Sequence, residues 1–169
     1  MTTVTTRGRA RWGVFIAIVI GVVVLDQLSK AWLLSTVGPG EVLPIIGDYL
    51  RLVQGHNSGA LFGMFRDQAI LFGLISLGVV ALIVAYHAMS GRNLYLSIAL
   101  GLLLGGAIGN LIDRFRFGYV VDWVDMGIGD VRFWTFNVAD SAITIGAGLL
   151  ILDNLLDSGR VRAPRGGSA

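Results

Sequence analysis

A chain of 169 residues, 54% hydrophobic and 14% charged with a mean hydropathy of +0.74, is one domain by length and too apolar for a water-soluble globule. Its formal net charge of +2, with no basic patch interleaved with aromatics, argues against a nucleic-acid partner. With no cysteine there is no disulfide, thiol nucleophile or thiolate metal site, and His56 and His87 lie too far apart for zinc-ligand spacing, so neither metal nor cofactor is expected.

Residues 1–11 are polar and carry Arg7, Arg9 and Arg11 ahead of an apolar run from Trp12 to Leu25. Secretory signal peptides open in the same way, but no A-x-A site follows and three more apolar segments do, which predicts an uncleaved first helix over about 12–35. Further spans are expected over about 68–89, 94–114 and 134–156, each near the ~20 residues a helix needs to cross a bilayer. The short turn S-G-R-N at 90–93 makes the second and third antiparallel neighbours. The predicted fold class is an all-α membrane protein of four transmembrane helices, with 1–169 a single integral-membrane domain.

Loop 36–67 mixes turn residues with short apolar alternations such as Leu50-Arg51-Leu52, predicting a small strand-containing cap on the membrane surface. Loop 115–133 is shorter, and Trp123, Phe133 and Trp134 suit an interfacial aromatic belt. From Ser158 the Gly- and Arg-rich tail reads as disordered. The N-terminal arginines, Arg92, Arg160, Arg162 and Arg165 fall on one side of a four-span chain; Glu41, Asp48, Asp67, Asp122, Asp125 and Asp130 fall on the other. The positive-inside rule then places both termini in the cytoplasm and both longer loops outside.

Depth brings the polar residues together. At about 1.5 Å of rise per residue, Asp26 and Lys30 lie roughly 20 and 27 Å from the cytoplasmic start of their span, Asn110 about 24 Å, and Asp113 with Arg114 at the outer boundary. Asp140, returning from outside, is only about 10 Å down, with Asn137 above it. All fall in one outer layer, and Asp26/Lys30, Asn110/Arg114 and Asn137/Asp140 each share a helix face. A carboxylate such as Asp140 in a bilayer-spanning run is costly and marks a functional site by default, and Asp122 gains its interest from closeness to it.

Plainer readings stand beside these. Asp26 with Lys30 serves equally as a structural ion pair, and Asn110 with Arg114 as a bond to loop carbonyls. Gly101, Gly105 and Gly109 repeat the small-xxx-small pattern of close helix packing. His56 reads as a surface-loop histidine, His87 as inert, and Asp125 and Asp130 as solvated loop charges. A proton-coupled transporter would also carry intramembrane Asp, Lys and Asn, but a relay across the bilayer is not apparent.

Five blocks in order, D-Q-L-S-K at 26–30, N-S-G-A-L-F at 57–62, G-G-A-I-G-N-L-I-D-R at 105–114, V-V-D-W at 120–123 and F-N-V-A-D-S-A-I at 136–143, resemble the lipoprotein signal peptidase (signal peptidase II) family of membrane aspartic proteases. Trp123 stands where that family often has Phe, and Leu61 where Ala is common. The resemblance implies a catalytic dyad at Asp122 and Asp140, with substrate-binding or dyad-supporting positions at Asp26, Lys30, Asn57, Gly59, Gly106, Asn110, Arg114, Asn137 and Ala139. It also implies a small extracytoplasmic β-cradle, a location in the bacterial inner membrane, and a diacylglyceryl prolipoprotein substrate cut just before the lipidated cysteine. Membrane lipid and globomycin-like cyclic peptide inhibitors follow as partners, with a monomer expected and no cofactor.

Overall fold

The computed structural model describes residues 10–58, 69–91 and 93–161, the side chains of 69–72 and 157–161 excepted. Four helices, α1 (Trp12–Thr36), α2 (Ala69–Ser90), α3 (Leu94–Phe117) and α4 (Val138–Val161), form the body. Each is long and apolar enough to cross a membrane. The chain is thus a multi-pass membrane protein of mainly helical fold with a small antiparallel sheet.

Apolar side chains clothe most of α1 instead of forming one stripe: Ile16, Ile20, Val24, Leu28 and Trp32 are exposed, as suits a helix bathed in lipid. α3 is the central element, packing against α1, α2 and α4. Its close approach to α1 depends on two glycines: a Cβ on Gly101 would meet Ile18 Cβ at 2.9 Å, and one on Gly105 would meet Val22 Cβ at 2.7 Å. Asn93 caps α3 by accepting from the Tyr95 backbone N–H at 2.9 Å, and Gly118 ends it in a left-handed conformation with φ 77°.

The sheet runs β1 (Val42–Ile46), β2 (Leu50–Asn57), β3 (Val120–Ile128) and β4 (Val131–Arg132), in that spatial order and antiparallel throughout. Half of it therefore comes from 115–133, which was expected to be a plain interfacial loop. The alternation that betrays a half-buried strand is lacking in V-V-D-W-V-D-M-G-I, because Val120, Val121, Asp122 and Asp125 are all buried on strand β3. A core of Leu33, Val37, Leu52 and Val121 fastens this sheet to the last turns of α1.

Three further differences from expectation have local causes. The last span begins at Val138 and not near 134, because Phe136 is still extended and bridges to Val124. Helix α4 continues through Ser158 to Val161, where disorder was expected; 162–169 lie outside the described residues. Asp125 is no solvated charge: it is 5% exposed and clamped between Arg51, at 2.6 Å, and Arg132, at 3.0 Å, which tie β2 to β3 and β4. Burial pushes its carboxyl up, but hydrogen bonds from the two guanidiniums outweigh this and hold it below the usual carboxylate range. Asp130 is exposed, as is His56, whose ring lies 4.2 Å from that of Tyr119. His87 is buried against Phe15 at the opposite end of the bundle, with Ser97 Oγ 3.1 Å from its Nε2.

Candidate active site

Five elements, α1, β2, α3, β3 and α4, converge where the bundle meets the sheet. The pairing of β2 with β3 sets Asn57 opposite Val120 and Gly55 opposite Asp122, so Asn57 Nδ2 reaches Asp122 Oδ2 at 3.0 Å. Glycine is required at 55, since a Cβ there would meet the Asp122 carbonyl oxygen at 2.7 Å. Asn137 stands just ahead of α4 and Asp140 in its first turn. Asn137 Oδ1 accepts the Asp140 backbone N–H at 2.8 Å, while Asp140 Oδ2 accepts that of Asn137 at 3.2 Å. This is a reciprocal capping box written N-x-x-D. Asp140 thus belongs to a helix start and not to the middle of a span.

Asn137 also links the two acids. Its Nδ2 donates to Asp122 Oδ1 at 2.7 Å and to Asn110 Oδ1 at 3.1 Å, while its backbone N–H serves Asp140. Asn110 Nδ2 donates to Asp140 Oδ1 at 2.7 Å. Both carboxyls are therefore held in one hydrogen-bonded cluster. Burial, together with the charge of Asp140, pushes the Asp122 carboxyl up to about 7 despite its donors Asn57 and Asn137.

Behind the pair lies a second tier. Lys30 Nζ, 3% exposed, contacts Asp26 Oδ2 at 2.8 Å, Asp113 Oδ2 at 2.8 Å and Asn110 Oδ1 at 3.2 Å. Ala139 donates its backbone N–H to Asp26 Oδ1 at 3.0 Å. Gly106 lets α4 approach α3, for a Cβ there would collide with the Ala139 carbonyl oxygen. Arg114, half-buried, donates to the Asn110 carbonyl at 3.2 Å and lies within electrostatic reach of Asp140 and Asp122.

Of the positions singled out in the sequence, Asp26, Lys30, Asn57, Gly106, Asn110, Arg114, Asp122, Asn137, Ala139 and Asp140 meet at this end of the molecule; Gly59 lies outside the described residues. Two side chains of the cluster had not been singled out. Asp113, expected only to mark the outer boundary of α3, is buried on Lys30 and accepts the Val121 backbone N–H at 3.0 Å. Gln27 donates to Asp113 Oδ1 at 2.9 Å and to Asp26 Oδ2 at 3.2 Å. The i,i+3 spacing of Asn110 and Asp113 puts both on one helix face and was the available signal for Asp113. Among the described residues no group of His, Cys, Asp and Glu could hold a metal ion.

A sequence profile of the family described as signal peptidase (SPase) II matches residues 18–156. A lipoprotein signal peptidase of Caulobacter vibrioides is 45% identical over 148 residues, covering 83% of this chain and 85% of its own. One from Moorella thermoacetica is 40% identical, covering 86% of this chain and 95% of its own. A solved bacterial membrane enzyme superposes with a TM-score of 0.85 at 31% identity, over 95% of this chain and 98% of that one.

Proposed function

Since the chain belongs to the signal peptidase II family, we propose that it is a membrane aspartic endopeptidase that removes signal peptides from diacylglyceryl-modified prolipoproteins, cutting just before the lipidated cysteine. Asp122 and Asp140 are its catalytic dyad. The observation that carries this reading is the double use of Asn137, whose side chain and backbone amides bind one carboxyl each. Two acids so close in a buried cluster share a proton near neutral pH, and the titration belongs to the pair.

With a pKa pushed up to about 7, Asp122 is the member suited to carry that proton. Asp140, with Asn110 and the helix N-terminus as donors, serves as the base. Asp140 takes a proton from a water as its oxygen attacks the scissile carbonyl, and Asp122 gives its proton to the carbonyl oxygen. The tetrahedral intermediate then collapses: Asp140 passes its proton to the nitrogen as the C–N bond breaks, and a hydroxyl of the intermediate returns a proton to Asp122, which restores the pair to its starting state. Asn57, Asn110 and Asn137 hold the pair, and Arg114, on the same helix face as Asn110, binds the substrate backbone. Gly59, carried over from the family motif N-S-G-A-L-F, counts among the substrate-binding or dyad-supporting positions.

The protein sits in the bacterial inner membrane as a monomer, termini in the cytoplasm and the sheet outside, so that the dyad lies just under the outer face. Globomycin-like cyclic peptides block the enzyme at the same site. The test uses the purified full chain in detergent with a lipidated prolipoprotein. Asp122→Asn and Asp140→Asn should each lower kcat by roughly 10²–10⁴-fold while still binding the substrate. Turnover near the unmodified rate by either variant removes the dyad assignment.

A further inference from the structure

Three buried charges take no part in the chemistry just described: Asp26 and Lys30 on α1 and Asp113 on α3, with 0%, 3% and 1% exposure. Lys30 lies 2.8 Å from a carboxylate oxygen of each aspartate. Each aspartate has a second duty. Asp26 Oδ1 accepts the backbone N–H of Ala139, and Asp113 Oδ2 accepts that of Val121, both at 3.0 Å. Ala139 is the residue before Asp140, and Val121 the residue before Asp122. The same ammonium therefore joins two carboxylates, each of which grips the chain one residue ahead of an acid of the dyad.

We propose that Asp26, Lys30 and Asp113 form a bridge that fixes the spacing of the dyad, which makes Asp113 a positioning residue for the reaction. The inference rests on the dyad reading and deepens it. A simple lock between α1 and α3 would need one ion pair and no backbone partner. Apolar packing stabilises at least as well as a buried ion cluster, so the use of three charges here points to geometry. The two gripped amides come from different kinds of element, strand β3 and helix α4, whose backbones pair at the single bridge of Val124 with Phe136, beyond both acids, so the two carboxylates add a hold at the residues next to the dyad itself. Gln27 closes the bridge by donating to both carboxylates, at 3.2 and 2.9 Å.

Asp113→Asn separates the bridge from a merely structural role. Asp122 faces Lys30 from α1, Arg114 from α3, Asp140 from α4 and Asn57 from β2. Neutralising Asp113 leaves Lys30 less compensated, and Lys30 favours the ionised form of Asp122. The alkaline limb of the rate profile should therefore move to lower pH. With lipidated prolipoprotein and the full chain in detergent, kcat should fall about 10²-fold, the cost of a misplaced reacting group, with KM little changed. Asp113→Glu keeps the charge but displaces the carboxylate by a methylene. It should leave the pH profile in place while kcat stays low. An Asp113→Asn protein with the unmodified kcat and profile overturns the bridge, as does a loss of kcat matched by a rise in KM with the profile unmoved. If Asp113→Asn yields no protein that binds substrate, Asp113→Glu decides alone, and full kcat in it overturns the bridge. Asp122→Asn run alongside separates the two claims. Its turnover would remove the dyad itself, whereas an inactive Asp122→Asn beside a fully active Asp113→Asn removes only the bridge.

Discussion

Asp122 and Asp140 carry the same side chain into different surroundings. Asp122 lies on a strand, 2% exposed, and receives its hydrogen bonds from two side-chain amides, Asn57 and Asn137. Asp140 lies in the first turn of α4, bonded to a backbone N–H of its own helix start and to Asn110. An acid pushed up to about 7 is half protonated near neutral pH. If Asp122 is the proton donor, kcat/KM falls on the alkaline side with an apparent pKa near 7, read from a rate profile between pH 5 and 9. Linkage supplies a second readout. The folded-state pKa is raised from 3.8, so the stability tied to this proton is present below about pH 4 and is lost as pH rises through 7. Asp122→Asn removes the dependence. Its melting temperature relative to the unmodified protein should climb between pH 4 and 7 and then level off. Any fixed penalty from donors left facing the new amide cancels in that slope. A difference independent of pH would show that Asp122 holds no such proton.

The elements were legible in proportion to how far one physical demand shaped their sequence. A span of lipid-facing helix needs an unbroken apolar run, and the four helices stand within a few residues of where those runs lie. Strand β3 has two demands on it, a sheet and a buried polar cluster, and its pattern follows neither period. The capping box was hidden in the same way: Asn137 and Asp140 were legible as one face of a helix, whereas they are its start, and the apolar Phe133–Phe136 stretch looked like more of the same span. Asp125 misleads because a charge in a polar loop reads as solvated until its arginines, distant in sequence, are placed. The contact between α3 and α4 tests how much the site depends on these elements. Gly106→Ala would drive a Cβ into the Ala139 carbonyl and within 2.7 Å of Ile143 Cγ1, pushing away the first turn that carries Asp140. It should destabilise by about 1–3 kcal/mol and lower kcat more than it raises KM. Gly148→Ala, with nothing within 4 Å of the added carbon, should keep full activity and leave stability unchanged or raised by about 1 kcal/mol. Thermal melts and turnover of the two variants side by side check both.

On the scale of the whole molecule, the bundle separates two kinds of interior. One end holds the apolar core of Phe15, Leu100 and Leu104. The other holds the charged cluster, covered by the sheet. Such a division suits a substrate that is itself divided, with acyl chains that remain in lipid and a peptide that must reach a polar layer at the membrane edge. On the proposed reading the acyl chains hold the peptide at the membrane and have no part in the bond-breaking step. Each methylene removed from them should weaken retention by about 0.8 kcal/mol, roughly a fourfold rise in apparent KM once partitioning is incomplete. At saturating substrate kcat should stay constant, because a purely anchoring chain changes how much substrate is bound and not the barrier to cleavage. A series of prolipoprotein peptides with progressively shorter diacylglyceryl chains, assayed at fixed lipid concentration, reads both quantities. A kcat that declines in step with chain length would mean that the lipid aligns the scissile bond on the dyad, and that anchoring and chemistry are not separate in this fold.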